Sequence, residues 1–116
     1  MIKQLKFMDW MVPLIMSGKK NSTWRLFDDK DLKTGDLVDF IERPSLKTFA
    51  RARLIDVQEK PFSQLTDEDK QGHEEFNSDE EMYRTYKKYY HQRVGPETKV
   101  KIIKFRIIPD QRKNYA

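Results

Sequence analysis

Between Gly18 and Ser22 the chain has room for only one tight turn. A helical pattern runs up to Gly18, and an alternating, strand-like pattern starts near Ser22. Glycine ends helices because it adopts positive φ without a Cβ penalty. The junction therefore fixes a helix and a strand side by side, so the chain mixes α and β. The turn and strand start read Gly18-Lys19-Lys20-Asn21-Ser22-Thr23-Trp24-Arg25. Two lysines, an amide, two hydroxyls and an arginine crowd into it, a donor set suited to phosphate, carboxylate or polar base groups.

The remaining segments obey the same logic. Lys3 to Met8 alternates weakly and reads as a strand, with Leu5 and Phe7 on one face. Asp9 can cap a short helix through Met16, with Pro13 early in it where proline is tolerated. Ser22 to Phe27 and Leu37 to Ile41 read as strands, with a tight Thr34-Gly35-Asp36 turn before the latter. After Arg43-Pro44-Ser45 comes a long strand from Phe49 to Gln58. There Phe49 is an expected inward anchor, with Ala50, Ala52, Leu54 and Asp56 on the other parity. Thr66 caps a short helix, and Ser78 with Glu81 forms a capping box for a helix ending near His91. Met82, Tyr86, Tyr89 and Tyr90 lie on one face of that helix. Lys99 to Ile108 is the last strand. Its alternation slips at Ile102-Ile103, which implies a bulge or burial on both faces. Strands dominate and helices cover, so the predicted class is α+β and β-rich, in one domain over residues 1–116. A partly closed barrel suits such a set because closure hides strand edges.

Composition bounds the function. The absence of cysteine excludes a disulfide scaffold and a cysteine nucleophile or cysteine-based metal site. His73 and His91 are the only histidines, far apart in sequence, and zinc binding is not expected. No phosphate-cradling glycine loop and no serine nucleophile elbow are visible. No apolar run approaches the ~20 residues of a membrane span, and the N-terminus shows no signal-peptide pattern. The expected location is the cytoplasm, and the expected state a monomer without a cofactor. Net charge is +4, although eight of the 19 acidic residues lie between Asp67 and Glu81. The rest of the molecule is therefore more basic, which favours an anionic partner.

These segments, in this order and spacing, resemble the ASCH domain family, small domains related to the PUA fold of RNA-binding modules. The likeness rests on Phe7, on Pro13-Leu14-Ile15 before Gly18, and on Lys20, Thr23 and Arg25 at the spacing of the family's G-x-K-T-x-T-x-R signature. It continues through Leu32 to Asp36, Gly72 to Tyr90, and Lys101 to Phe105. Asn21 stands where the family often has threonine. The resemblance implies a PUA-like, partly closed β-barrel with short covering helices. It also implies two functions. One is binding of RNA or a modified nucleoside. The other is hydrolysis of an amide such as that of N4-acetylcytidine, which some small ASCH proteins carry out with a lysine, a threonine and a glutamate.

Each candidate has a structural reading beside the functional one. Lys20 is an exposed loop lysine or, if desolvated, a base or nucleophile. Thr23 is an ordinary strand residue or orients a water or an oxyanion. Glu74 is a solvated acid before a helix or the proton-transfer partner of Lys20. Register leaves Glu75 open as the alternative, and His73 aligns near the same place. Arg25 is the arm of an ion pair with the 28–31 loop or holds a phosphate or carbonyl. Lys19, Asn21 and Trp10 complete the expected ligand-binding set, with Trp10 a stacking platform at the rim. Trp24, on the opposite parity from Thr23, reads as core. The tyrosines beside Lys87 and Lys88 are core packing or a nucleic-acid clamp.

Overall fold

The computed structural model describes residues 2–109. Five strands form one mixed sheet: β1 (Lys3–Met8), β2 (Ser22–Leu26), β3 (Leu37–Arg43), β4 (Thr48–Pro61) and β5 (Lys99–Ile108). Their spatial order is β1-β3-β4-β5-β2. Only the β1–β3 pair is parallel. The sheet curls into a half-barrel, so its two edge strands, β1 and β2, approach each other across the open side. Arg25 on β2 bridges them, its Nη2 donating to the Lys6 carbonyl of β1 at 2.8 Å. Lys30 Nζ donates to the Gln4 carbonyl at 3.0 Å, so the loop after β2 also ties down β1.

Two apolar clusters pack on the two faces of the sheet. The inner one includes Leu5, Phe7, Phe40, Leu54, Ile103 and Phe105, and α1 (Val12–Met16) adds Ile15. The outer one includes Trp24, Leu26, Val100 and Ile102 under Met82 and Tyr86 of α3 (Asp79–Tyr90). Ile102 and Ile103 are therefore both buried, one in each cluster. That accounts for the broken alternation of β5 without a bulge in that strand. The irregularities lie in β4, which skips a pairing around Phe49 and again at Ile55. A skipped residue flips the parity of the strand beyond it. Hence Phe49 and Ala50 both pack on the inner cluster, and Ile55 is left exposed.

Several local expectations are corrected. Asp9 makes no cap. Asp9–Met11 is a 3₁₀ turn leading into α1, with no side-chain hydrogen bond at either N-terminus. β2 ends at Leu26 because Phe27 takes a left-handed conformation, φ +52°. Ser78 caps α3 by accepting from Glu81 N, but Glu81 turns its carboxylate to Asn77 instead of closing the box. The reciprocal box forms at α2 (Asp67–Lys70), between Thr66 and Asp69. Tyr89, expected on the apolar face of α3, is exposed. Among the described residues no helix is long and apolar enough to cross a membrane.

Candidate functional site

The turn after α1 reaches inward. Gly18 ends the helix at φ +84°, and Lys20 N donates to the Leu14 carbonyl at 3.0 Å. This brings the Lys20 side chain under the sheet edge, where only 3% of it is exposed. Its Nζ donates to the Ser22 carbonyl at 2.8 Å and to Glu74 Oε2 at 2.6 Å. The partner arrives from 54 residues away by a second tight device. Gly72, at φ +78°, presents its carbonyl to the backbone N–H groups of both Asn21 and Ser22, at 3.0 and 3.1 Å. That anchors the loop of His73 and Glu74 to the start of β2. Asn21 packs its amide where a Cβ on Gly72 would stand, so the close approach requires glycine.

His73 holds Glu74 in place. Its Nδ1 donates to the Glu74 carbonyl at 3.0 Å, since a carbonyl can only accept. That leaves Nε2 to accept from the Tyr86 hydroxyl at 3.0 Å. The ring stacks on Trp24 with centroids 3.8 Å apart. Burial pushes Tyr86 well above its ordinary value, so it stays a donor. Burial, helped by the Lys20 charge, lowers His73 to about 4, so the imidazole is neutral at pH 7. Burial also lowers the Lys20 ammonium, although Glu74 draws it part of the way back. For Glu74, burial alone would raise the carboxyl; His73 and Lys20 outweigh it and hold the group below its ordinary value.

A lowered His73 makes stability depend on pH. Its ordinary value is 6.5, so between about pH 6.5 and 4 the unfolded chain binds a proton that the folded chain refuses. Stability gained from the neutral ring is complete above pH 6.5 and is lost as pH falls through that window. The loss approaches about 1.4 kcal/mol per pH unit. Urea unfolding at pH 7, 6 and 5 should show this slope, and His73→Gln should flatten it.

A cavity of about 490 Å³ opens beside this pair, along the free edge of β2. Because it wraps an edge strand, residues of both parities reach it. Thr23, Trp24 and Arg25 line it with Lys20, His73, Glu74, Tyr86 and Tyr89. Lys6, Phe7 and Met8 of β1 and Trp10 close the far side. Trp10 is half exposed at the rim. The structure thus brings together Lys20, Thr23, Glu74, Arg25 and Trp10. Lys19 and Asn21 lie outside the lining: both are exposed, and the Asn21 amide packs over Gly72. Glu75 faces a separate groove of about 450 Å³, lined also by Asp67, Asn77 and Asp79. Lys87 and Lys88 are exposed on the surface of α3, away from both.

Arg25 differs from its expected ion pair. Asp28 is taken by Lys101 at 3.1 Å, and the guanidinium instead lies over the Phe7 ring, 4.9 Å from its centroid. Sequence reasoning missed Arg43, Lys6 and Phe7 as cavity residues. They arrive through the parallel register that sets Met8 opposite Arg43, and no local pattern reports that pairing. Among the described residues no cluster of three or more histidines or carboxylates converges in a way that could hold a metal ion.

No family model and no curated protein matches the sequence. Solved structures do. The ASCH domain from Lactobacillus crispatus JV V101 superposes with a TM-score of 0.67 at 12% identity, over 85% of this chain and 70% of that one. The chain has the ASCH domain fold. The ASCH protein of Zymomonas mobilis matches at TM-score 0.61 and 18% identity, over 89% of this chain and 65% of that one. The DUF984 protein EF3133 from Enterococcus faecalis V583 matches at TM-score 0.76 and 17% identity, over 93% and 81%. In this ASCH fold the cavity sits where the half-barrel fails to close.

Proposed function

We propose that the cavity receives an acylated nucleobase of the N4-acetylcytidine type, and that Lys20, Thr23 and Glu74 hydrolyse its exocyclic amide. The observation that carries this reading is the 2.6 Å contact between a buried lysine and Glu74 at the wall of a nucleoside-sized cavity. A buried lysine loses its proton more easily than a solvated one. In the reaction, a neutral Lys20 takes a proton from water as the water oxygen bonds to the acyl carbon. Thr23 orients the water or the developing oxyanion. The carbon–nitrogen bond then breaks, and the proton passes from Lys20 through Glu74 to the departing N4 amine. The products are the deacylated base and a carboxylic acid, which releases the second proton of the water to solvent as it ionises. Trp24 and Tyr86, both buried, line the cavity floor beneath the base.

Purified protein incubated with N4-acetylcytidine should release cytidine and acetate, read by chromatography. Glu74→Gln should lower the rate by about 10²-fold or more, because it removes the proton carrier. Glu75→Gln, in the other groove, should leave the rate within about twofold, the scatter of surface substitutions. Equal losses in both variants, or no turnover by the unaltered protein, would defeat this reading.

Binding without turnover, to RNA or a modified nucleoside, is the second reading. It is favoured by Trp10 and Tyr89, both half exposed at the rim and free to stack on bases flanking an inserted one. RNA affinity would then fall steeply with salt, whereas nucleoside turnover would not.

A further inference from the structure

The cavity holds more positive charge than hydrolysis of a neutral nucleoside uses. Lys6, Lys20, Arg25 and Arg43 line it against a single carboxylate, Glu74, which Lys20 already engages. Lys6 and Arg43 have no ion-pair partner among the described residues, and both side chains reach solvent. Arg25 is tied to β1 by its bond to the Lys6 carbonyl, and its Nε is buried without a hydrogen-bond partner. The Arg43 charge bears on Arg25 closely enough to help lower it, after burial and against nearby tyrosines and Asp28. Cations set side by side in a folded protein repel unless an anion sits among them.

The opposite side of the site has the reverse sign. Trp24, Glu74 and Phe76 form a wall shared by both concavities, and behind it lie Asp67, Glu75 and Asp79 with one lysine, Lys70. An anionic ligand is therefore drawn to the β1–β2 side and repelled from the other.

Resting on the reading of this cavity as a nucleobase site, we infer that its ligand carries a phosphate ester, held at the mouth by Arg43 and Lys6 with Arg25 behind them. A base in the cavity beside Lys20 and Glu74 and a phosphate at Arg43 is the arrangement of a nucleotide. The phosphate can come from a free 5′-monophosphate or from the backbone of an RNA, and the chemistry of the contact is the same.

Calorimetry at low salt with cytidine, cytidine 5′-monophosphate and a short oligoribonucleotide with a central cytidine tests this. The monophosphate should bind about tenfold or more tightly than cytidine, the size of one charge-assisted contact. Arg43→Glu should remove that advantage, and Lys6→Gln, as an independent variant, should reduce it. Thermal unfolding checks that each variant folds. A tighter oligonucleotide identifies the backbone as the source; an equal or weaker one identifies the free nucleotide. Equal affinity for cytidine and its monophosphate, or an advantage retained in Arg43→Glu, overturns the inference even if N4-acetylcytidine is hydrolysed. Preference for the monophosphate without any turnover sustains it while the hydrolytic reading fails.

Discussion

Lys20→Ala is expected to abolish release of cytidine from N4-acetylcytidine, a loss of about 10³-fold or more if the lysine is both proton acceptor and the anchor of Glu74. Lysine supplies a movable proton at this position, and Ser22 and Glu74 fix its Nζ at 2.8 and 2.6 Å. Lys20→Arg sharpens the test. It keeps the positive charge and the contact to Glu74, but a guanidinium does not give up its proton in a protein. If Lys20 only balanced the Glu74 charge, arginine would restore function. If it moves a proton, Lys20→Arg is as inactive as Lys20→Ala. Steady-state rates for both variants, with circular dichroism to confirm folding, decide between the two.

The largest structural effect is expected at Trp24. It is buried, stacked on His73 at 3.8 Å and packed near Phe62 and Tyr86, each at 6.1 Å between ring centroids. Trp24→Ala should cost about 3–5 kcal/mol, the range for removing a buried large aromatic. It should also loosen the wall that separates the cationic cavity from the acidic groove. Trp24→Phe should cost much less. The indole Nε1 has no hydrogen-bond partner, so replacing it by an apolar ring removes a buried, unsatisfied donor. Urea unfolding of the two variants measures both effects. A loss below about 1 kcal/mol for Trp24→Ala would mean that the outer cluster does not pack as described.

Much of this molecule was legible because its signals are local. Gly18 and Gly35 stop one element and start the next, and both take positive φ. Thr66 and Ser78 begin helices because their hydroxyls meet backbone donors three residues on. The doubled Ile102-Ile103 announced either a bulge or a strand covered on both sides, and the second is what forms. Lys20, Thr23 and Arg25 were marked out by their place in one turn and strand. Other features depend on distant pairings. Glu74 and Glu75 look alike in sequence; a glycine carbonyl clamped to Asn21 and Ser22 decides which of them meets Lys20. Arg43 reads as part of the polar connection after Ile41 until β3 is seen to run on to it and β1 is laid parallel alongside. His73 stood out only as aligning near the place of Glu74, and its part in orienting Glu74 depends on a tyrosine thirteen residues later and a tryptophan on β2. The two irregularities of β4 were hidden because the extra residues, Phe49 and Ile55, are themselves good strand formers.

Both the hydrolytic and the binding reading require a base to enter the cavity at the open edge of the half-barrel. Chemical-shift mapping of isotope-labelled protein with cytidine tests this without requiring turnover. The largest changes should fall on Lys20, Thr23, the Trp24 indole and the His73–Glu74 loop, with Trp10 next at the rim. Changes confined to Asp67, Asn77 and Asp79 in the acidic groove, or an unchanged spectrum at millimolar cytidine, would contradict it.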